Sequence, residues 1–323
     1  MFRKSFVAFR IRTLIAEYGS KNYDLARVTQ LSEKKAFTVH LRYPNAAASS
    51  PAGMRRHHGS SSSSLSAAEG GGLRKRPEEV VLLEALPSKH VGLFKDGSIV
   101  AFDMSLDEIS ALRLSLKQCE LPKEEALIAP RRVTRERQYT LLEELPSMGY
   151  EAPEGVGLGY IDEGELNAVV LSSNDPTLKL PYIYCLGELI QIEALNATLT
   201  PIAQRVGEWQ EHVKRTGHLP CSLKQARIAR AQLHRLQSKQ TTIENRQQIF
   251  WDGQYNHLRS LYNDAYDIYE VPHLNAALNA RVEVVADSVS YLSEETHAET
   301  NHRLEWVIII LIFMELMNAI LTH

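Results

Sequence analysis

Glu294 and His297 stand three residues apart, and so do Glu299 and His302. On a helix this spacing puts a carboxylate and an imidazole on one face, the arrangement from which carboxylate-bridged metal pairs are built. Such a centre needs the motif on two helices and two more glutamates, whereas both copies here fall on one stretch. A third copy, Glu270-Val271-Pro272-His273, holds a proline that spoils the helical geometry. No metal site and no cofactor are expected. Gly155-Val156-Gly157-Leu158-Gly159 lacks the last glycine spacing of a dinucleotide fingerprint and precedes a strand-like stretch, so it reads as a turn. There is no phosphate-cradling Gly-x-x-x-x-Gly-Lys-Ser/Thr and no Gly-x-Ser-x-Gly, and no spacing of Ser, His and Asp singles out a triad. No catalytic residue is expected, and the chain reads as a non-enzyme.

A different chemistry is concentrated between His212 and Ile243. These 32 residues contain no Asp or Glu. They hold Lys214, Arg215, Lys224, Arg227, Arg230, Arg235 and Lys239, the candidate RNA-binding set. At 100° per residue, Lys224, Arg227, Arg235 and Lys239 fall within about a 120° arc. That arc lies opposite an apolar series at Ala226, Ala229, Leu233, Leu236, Gln240 and Ile243, whose alternating three- and four-residue steps form a heptad seam. One face of such a helix packs while the other offers cations to phosphate, an attraction independent of base sequence. The alternative reading is a solvated outer face of a coiled coil.

The last stretch is apolar on every side. Trp306 to Leu321 spans sixteen residues, about 24 Å as a helix, against about 30 Å of bilayer hydrocarbon. Glu315 and Asn318 interrupt it, and a carboxylate at depth costs about 2.5–3.5 kcal/mol by analogy with Asp on insertion scales. Leu304, Glu305, Trp306, Ile309, Leu311, Ile312 and Glu315 are the candidate membrane- or partner-binding residues. Either lipid or a partner protein could take this helix, and Glu315 suits a contact with a second copy.

These features need elements to carry them. Val91–Phe94 and Ile99–Phe102 are short apolar runs around Lys95-Asp96-Gly97-Ser98, and Asp-Gly there predicts a hairpin with a tight primed turn. Ser105-Leu106-Asp107-Glu108 predicts a capping box opening a helix with Leu106, Ile109, Leu112 and Leu116 on one side. Tyr160 to Leu171 predicts a second hairpin. From Pro181 the chain reads as helical, with Ile202, Val206, Trp209 and Val213 on one face. Helices over 223–249 and 255–300 are expected to form a long antiparallel hairpin. The second arm should carry Val271, Leu274, Leu278, Arg281, Val285, Ser288 and Leu292 as its seam and run on into the terminal helix. The fold class expected is α+β: an N-terminal α/β domain with hairpins, then a long antiparallel helical hairpin, then a C-terminal hydrophobic helix. The expected domains are a targeting segment and extension at 1–43, a low-complexity linker at 44–77, the α/β domain at 78–180, the helical domain at 181–300 and the hydrophobic helix at 301–323.

The linker assignment rests on Ser60 to Ser64 and Gly70 to Gly72, which could not build a core; Arg55-Arg56-His57-His58 within it reads as a solvated basic patch. The first residues alternate Arg3, Lys4, Arg10 and Arg12 with Phe2, Phe6, Val7, Phe9, Ile11 and Leu14, and the first acid is Glu17. An Arg-rich, acid-poor, amphipathic start is the pattern of a mitochondrial transit peptide. A net charge of −3 gives no global pull toward nucleic acid, so any polyanion contact must be local. Three scattered cysteines, Cys119, Cys185 and Cys221, are an odd set with no Cys-x-x-Cys, which suits buried thiols in a reducing compartment.

Three stretches together resemble one family. Asn301 to Leu316, with Leu304-Glu305-Trp306 leading into the apolar run, resembles the C-terminal signature of the "required for meiotic nuclear division" family. Phe250-Trp251-Asp252 followed by Leu258 and Leu261-Tyr262 resembles its aromatic element. Leu93 to Phe102 resembles its early hairpin, with Asp103 where the family usually has Trp. The resemblance runs from about Val91 to Leu321. It implies a non-catalytic protein, needed for mitochondrial translation, on the matrix side of the inner membrane. Its implied partners are mitoribosomal proteins or assembly factors, with ribosomal RNA and a second copy of the chain as further candidates. The alternative is a structural scaffold of a mitochondrial membrane complex without RNA contact.

Overall fold

The structure is a computed structural model that describes residues 12–18, 23–34, 38–43, 80–86, 88–121, 133–145, 158–163, 166–244, 249–251 and 255–322. Residues 1–11, the linker at 44–77 and Gly155 to Gly157 lie outside the described residues. The chain divides into two units, and its class is mixed α and β, as expected.

The first unit holds an eight-stranded sheet. Its strands are β1 (Arg12–Tyr18), β2 (Thr38–Tyr43), β3 (Val80–Leu86), β4 (Lys89–Phe94), β5 (Ile99–Phe102), β6 (Val133–Leu141), β7 (Leu158–Glu163) and β8 (Leu166–Leu171). Their spatial order is β2-β3-β4-β5-β1-β6-β8-β7. Both expected hairpins form, β4 with β5 and β7 with β8. The first differs in its turn. Phe94 and Ser98 pair across a three-residue loop in which Gly97 alone takes positive φ, at 89°, the form that closes on a bulge instead of a primed turn.

Of the targeting segment and extension expected over 1–43, the residues from Arg12 to Tyr18 form part of the sheet. β1 is an inner strand between β5 and β6, with Leu14, Ile15 and Ala16 buried. Glu17, the first acid, is buried beside Arg113, at 3.4 Å. Amphipathic alternation with period two is what an inner strand and an Arg-rich leader share, so composition alone could not separate them.

Strands β3, β4 and β5 are buried on both faces, which is why they read as unbroken apolar runs and not as alternation. One face packs Ile15, Val81, Leu83, Val91, Leu93 and Ile99 against α1 (Leu25–Lys34) and α2 (Leu106–Ser115). The capping box of α2 is complete: Ser105 Oγ accepts from the Glu108 N–H, and Glu108 Oε2 accepts from the Ser105 N–H at 2.9 Å. Ile109, Leu112 and Leu116 are buried as expected, but Leu106, in the first turn, is exposed. The other face takes the start of α3 (Pro176–Thr216). A Cβ on Gly92 would strike Ile183, and one on Gly187 would strike the Phe94 ring, so two glycines set the close approach of helix and strand.

The helical domain begins later than Pro181. The first turns of α3, through Gly187, and the segment 246–268 with α5 (Arg259–Ile268) belong to the sheet unit, where Phe250 stacks on Tyr262 at 4.6 Å. The expected single arm over 255–300 is thus two helices. α5 stops at Ile268, Glu270 turns with φ of +51°, and α6 (Val271–Thr322) restarts with Pro272 in its first turn, where no N–H is needed.

The second unit contains the remainder of α3, α4 (Leu223–Glu244) and α6. α4 packs on α6, and Gln240 Nε2 donates to Asn275 Oδ1 at 3.0 Å. The α4 seam is the one expected: Ala226, Ala229, Leu233, Leu236 and Gln240 are buried. On α6 the buried set is Val271, Leu278, Val282, Val285, Val289 and Leu292. Arg281 is exposed and donates to Asn196 Oδ1 at 2.5 Å, and Ser288 is half-buried, so two seam positions move one residue on, to Val282 and Val289. Apolar valine displaces a charged or hydroxyl side chain from the seam for reasons of desolvation.

Candidate functional site

The basic face of α4 stands where the heptad places it. Lys224, Arg227, Arg230, Arg235 and Lys239 are all exposed, opposite the buried seam. Lys224, Arg227 and Arg230 make no ion pair among the described residues. Lys214 and Arg215 lie in the last turn of α3, both exposed, but Arg215 Nε is held by Glu211 Oε1 at 3.0 Å, an i,i+4 pair that offsets its charge. The opposite arm, α6, exposes Glu283, Asp287, Glu294 and Glu295. The hairpin is therefore electrically two-sided: one arm is cationic and the other anionic.

Beyond that hairpin, α6 continues as bare helix. It runs 52 residues without a break, about 78 Å. Leu304, Trp306, Ile309, Leu311 and Ile312 are each more than half exposed, and so are Val307, Ile308, Ile310, Phe313 and Met314 around the rest of the circumference. Glu305 and Glu315 are exposed with them. A helix that is apolar all round is stable only when something apolar surrounds it. Among the described residues no helix is long and apolar enough to cross a membrane. The hydrophobic helix expected at 301–323 thus forms as continuous helix through Thr322, and its apolar length of about 24 Å falls short of the hydrocarbon thickness.

The Glu-x-x-His spacings lie on continuous α6 helix. Glu294 and His297 are exposed, and His302 Nδ1 lies 3.3 Å from Glu305 Oε2 on the same helix. Among the described residues no group of metal-ligating side chains converges. Cys119, Cys185 and Cys221 are buried and unbridged.

One polar cluster escaped the sequence reading. Lys179, in the first turns of α3, is fully buried, with its Nζ 2.9 Å from His90 Nδ1 on β4 and 2.5 Å from Asn174 Oδ1. It lies 5.0 Å above the Phe102 ring and 5.8 Å from the Tyr139 ring. Burial pulls its amine from 10.5 down to about 8. Tyr139 donates to Asp103 Oδ2 at 2.6 Å, and burial followed by that carboxylate pushes the phenol well above its ordinary range. Arg12 bridges Asp103 and Glu144, gripping the latter with both terminal nitrogens at 3.0 and 2.9 Å. Asp103 takes positive φ, at 60°, just where its carboxylate is needed. The amine is enclosed, so the cluster pins α3 to the sheet. The one signal in the sequence was a lysine set among Leu178, Leu180 and Pro181, a poor guide because lysine there also fits a surface turn.

No family model matches the chain, no curated protein matches it, and no solved structure matches it.

Proposed function

We propose that this chain is a non-catalytic mitochondrial factor of the kind it resembles, which supports mitochondrial translation by assembling or tethering mitoribosomes on the matrix side of the inner membrane. The observation that carries the reading is the junction of two surfaces on one helical hairpin. α4 offers an exposed basic face with no acid until Glu244, and α6 runs on into an apolar end exposed all round. The first suits ribosomal RNA, whose phosphates are held by cations regardless of sequence. The second suits lipid, and the proposal is for insertion from one side, not for a full-thickness crossing. Depleting the protein, then labelling mitochondrial translation products and profiling ribosomal subunits on gradients, tests the reading. Reduced synthesis with a shifted subunit profile is expected; normal synthesis with normal subunits would remove it.

A second reading, a scaffold subunit without RNA contact, draws on exposed apolar residues of the hairpin itself: Ile228 on α4, Val284 and Tyr291 on α6. Such residues suit a protein partner. Cross-linking followed by purification separates the two readings. Ribosomal RNA and proteins in the complex favour the tether; membrane-complex subunits without RNA favour the scaffold.

A further inference from the structure

The polar cluster under α3 brings a nucleophile and an acyl group together. Asn174 stands just before α3, in a turn held on both sides. Ser173 Oγ accepts from the Asp175 N–H at 3.3 Å, and Asp175 Oδ1 accepts from the Thr177 N–H at 2.9 Å. Lys179 lies in the first turns of the helix, where long side chains lean toward the N-terminus, so its amine reaches back to that turn. Lys179 Nζ donates to Asn174 Oδ1 at 2.5 Å, inside the usual N–H to O range of about 2.7–3.2 Å. The amine is fully buried, with the Phe102 and Tyr139 rings 5.0 and 5.8 Å away, so water does not compete for it. Burial pulls it down to about 8, helped by Arg12 and opposed by Asp103, Asp175 and Glu84. Near pH 8 about half of the amines therefore carry a free electron pair. His90 Nδ1, 2.9 Å from Nζ, is placed to take the proton that an attacking amine must lose. The group facing the amine is a carboxamide, which leaves it neutral where a carboxylate would hold it charged. Asn174 is only half-buried, so a small leaving group has a way out.

We propose that Lys179 and Asn174 join in an intramolecular isopeptide bond, closed by the folded chain itself. The Nζ electron pair attacks Asn174 Cγ, and a proton passes from Nζ to His90. The Cγ–Nδ2 bond then breaks, and Nδ2 takes the proton back from His90 and leaves as ammonia. One amine and one carboxamide become one secondary amide and ammonia, with no oxidant or reductant. The fold contributes position and a dry site, the two terms that make an intramolecular attack fast relative to one in solution. A carboxamide is still a weak acyl donor, so closure follows folding slowly, and the freshly folded chain carries the titratable amine. The closed loop spans only residues 174–179, which removes little entropy from the unfolded chain. Its effect is local: it ties the first turns of α3 to the turn that precedes them.

The test is the mass of the full chain, freshly folded and again after a week kept warm near pH 8. Closure removes one ammonia, a loss of about 17 Da. Proteolytic cleavage between Asn174 and Asp175 gives two separate peptides from the open chain and one joined product from the closed chain. Lys179→Arg and Asn174→Ala are expected to keep the full mass. His90→Phe is expected to slow closure by at least about tenfold, with its urea midpoint measured alongside to show that the fold persists. Full mass in the aged native chain, with two separable peptides, would overturn the bond. A loss of about 17 Da whose peptides still separate, the mark of a succinimide at Asn174 alone, would overturn it too. Closure at the same rate in urea would overturn the role given to the folded site.

Discussion

Two stretches of helix in this chain are apolar on every side, and they meet opposite circumstances. In α3, Leu180, Tyr182, Ile183, Tyr184, Cys185 and Leu186 are all buried. In α6, Trp306 through Met314 are all exposed. The local chemistry is the same, and both segments propagate helix readily. The difference lies in what surrounds them. α3 starts against strands whose glycine, Gly92, has given up its side chain so that Ile183 can approach. The end of α6 has no such floor. An all-round apolar helix specifies that it must be covered, and topology decides whether the chain itself supplies the cover.

Gly92→Val has the largest expected effect, because it attacks the covered helix. The new side chain drives into Ile183, and the overpacking is expected to cost about 3 kcal/mol or more of unit stability, read as a lower urea midpoint. Ile309→Ser and Phe313→Ser in the bare segment should leave that midpoint within about 0.5 kcal/mol. Comparable losses at both places would mean that the α6 end is packed after all.

The pin beneath α3 sharpens the contrast through pH. The Lys179 amine sits at about 8 in the fold, against an ordinary 10.5. Between those values the unfolded chain binds the extra proton, so stability rises with pH, by about 2 kcal/mol from pH 7.5 to 9.5. Tyr139 acts the other way above pH 10. Its phenol stays neutral in the fold while the unfolded chain ionises, so stability then falls. Urea titrations at four pH values should trace a rise and then a fall, and Lys179→Met should erase the rise alone. A flat profile between pH 7.5 and 9.5 would show that the amine is not desolvated.

On the α4 side, reversing Lys224, Arg227, Arg235 and Lys239 to Glu should leave the urea midpoint nearly unchanged, since all four lie away from the seam. Salt-sensitive association with ribosomal particles should fall more than tenfold in sedimentation at moderate salt. Unaltered co-sedimentation would mean a merely solvated face. The smallest effect concerns α2: Ser105→Ala removes the cap that accepts the Glu108 N–H and should cost about 1 kcal/mol of thermal stability.

Local signals were legible where one interaction decides the outcome. Asp96-Gly97 between apolar runs gave the β4–β5 hairpin, Ser105 with Glu108 gave the cap, and the alanine and leucine spacing gave the α4 seam. Distant partners were not legible. β1 hides in a segment whose alternation equally fits an import leader, and its place beside β5 and β6 depends on residues more than eighty positions away. The Lys179 cluster gathers side chains from β1, β4, β5, β6 and α3, and no spacing announces it. In α6 the register slipped at Arg281 and Ser288 because a loose heptad admits two neighbouring seams, and packing against α4 selects the more apolar. The basic face and the apolar end of α6 were both readable, since each is a property of one helix.

Carbonate extraction of mitochondrial membranes directly tests the proposal that lipid, and not the chain itself, covers the end of α6. The full chain should stay in the pellet, and a chain lacking residues 306–322 should move to the supernatant with its urea midpoint unchanged. A full chain released entirely by carbonate, or a truncated chain that loses its fold, would contradict the claim.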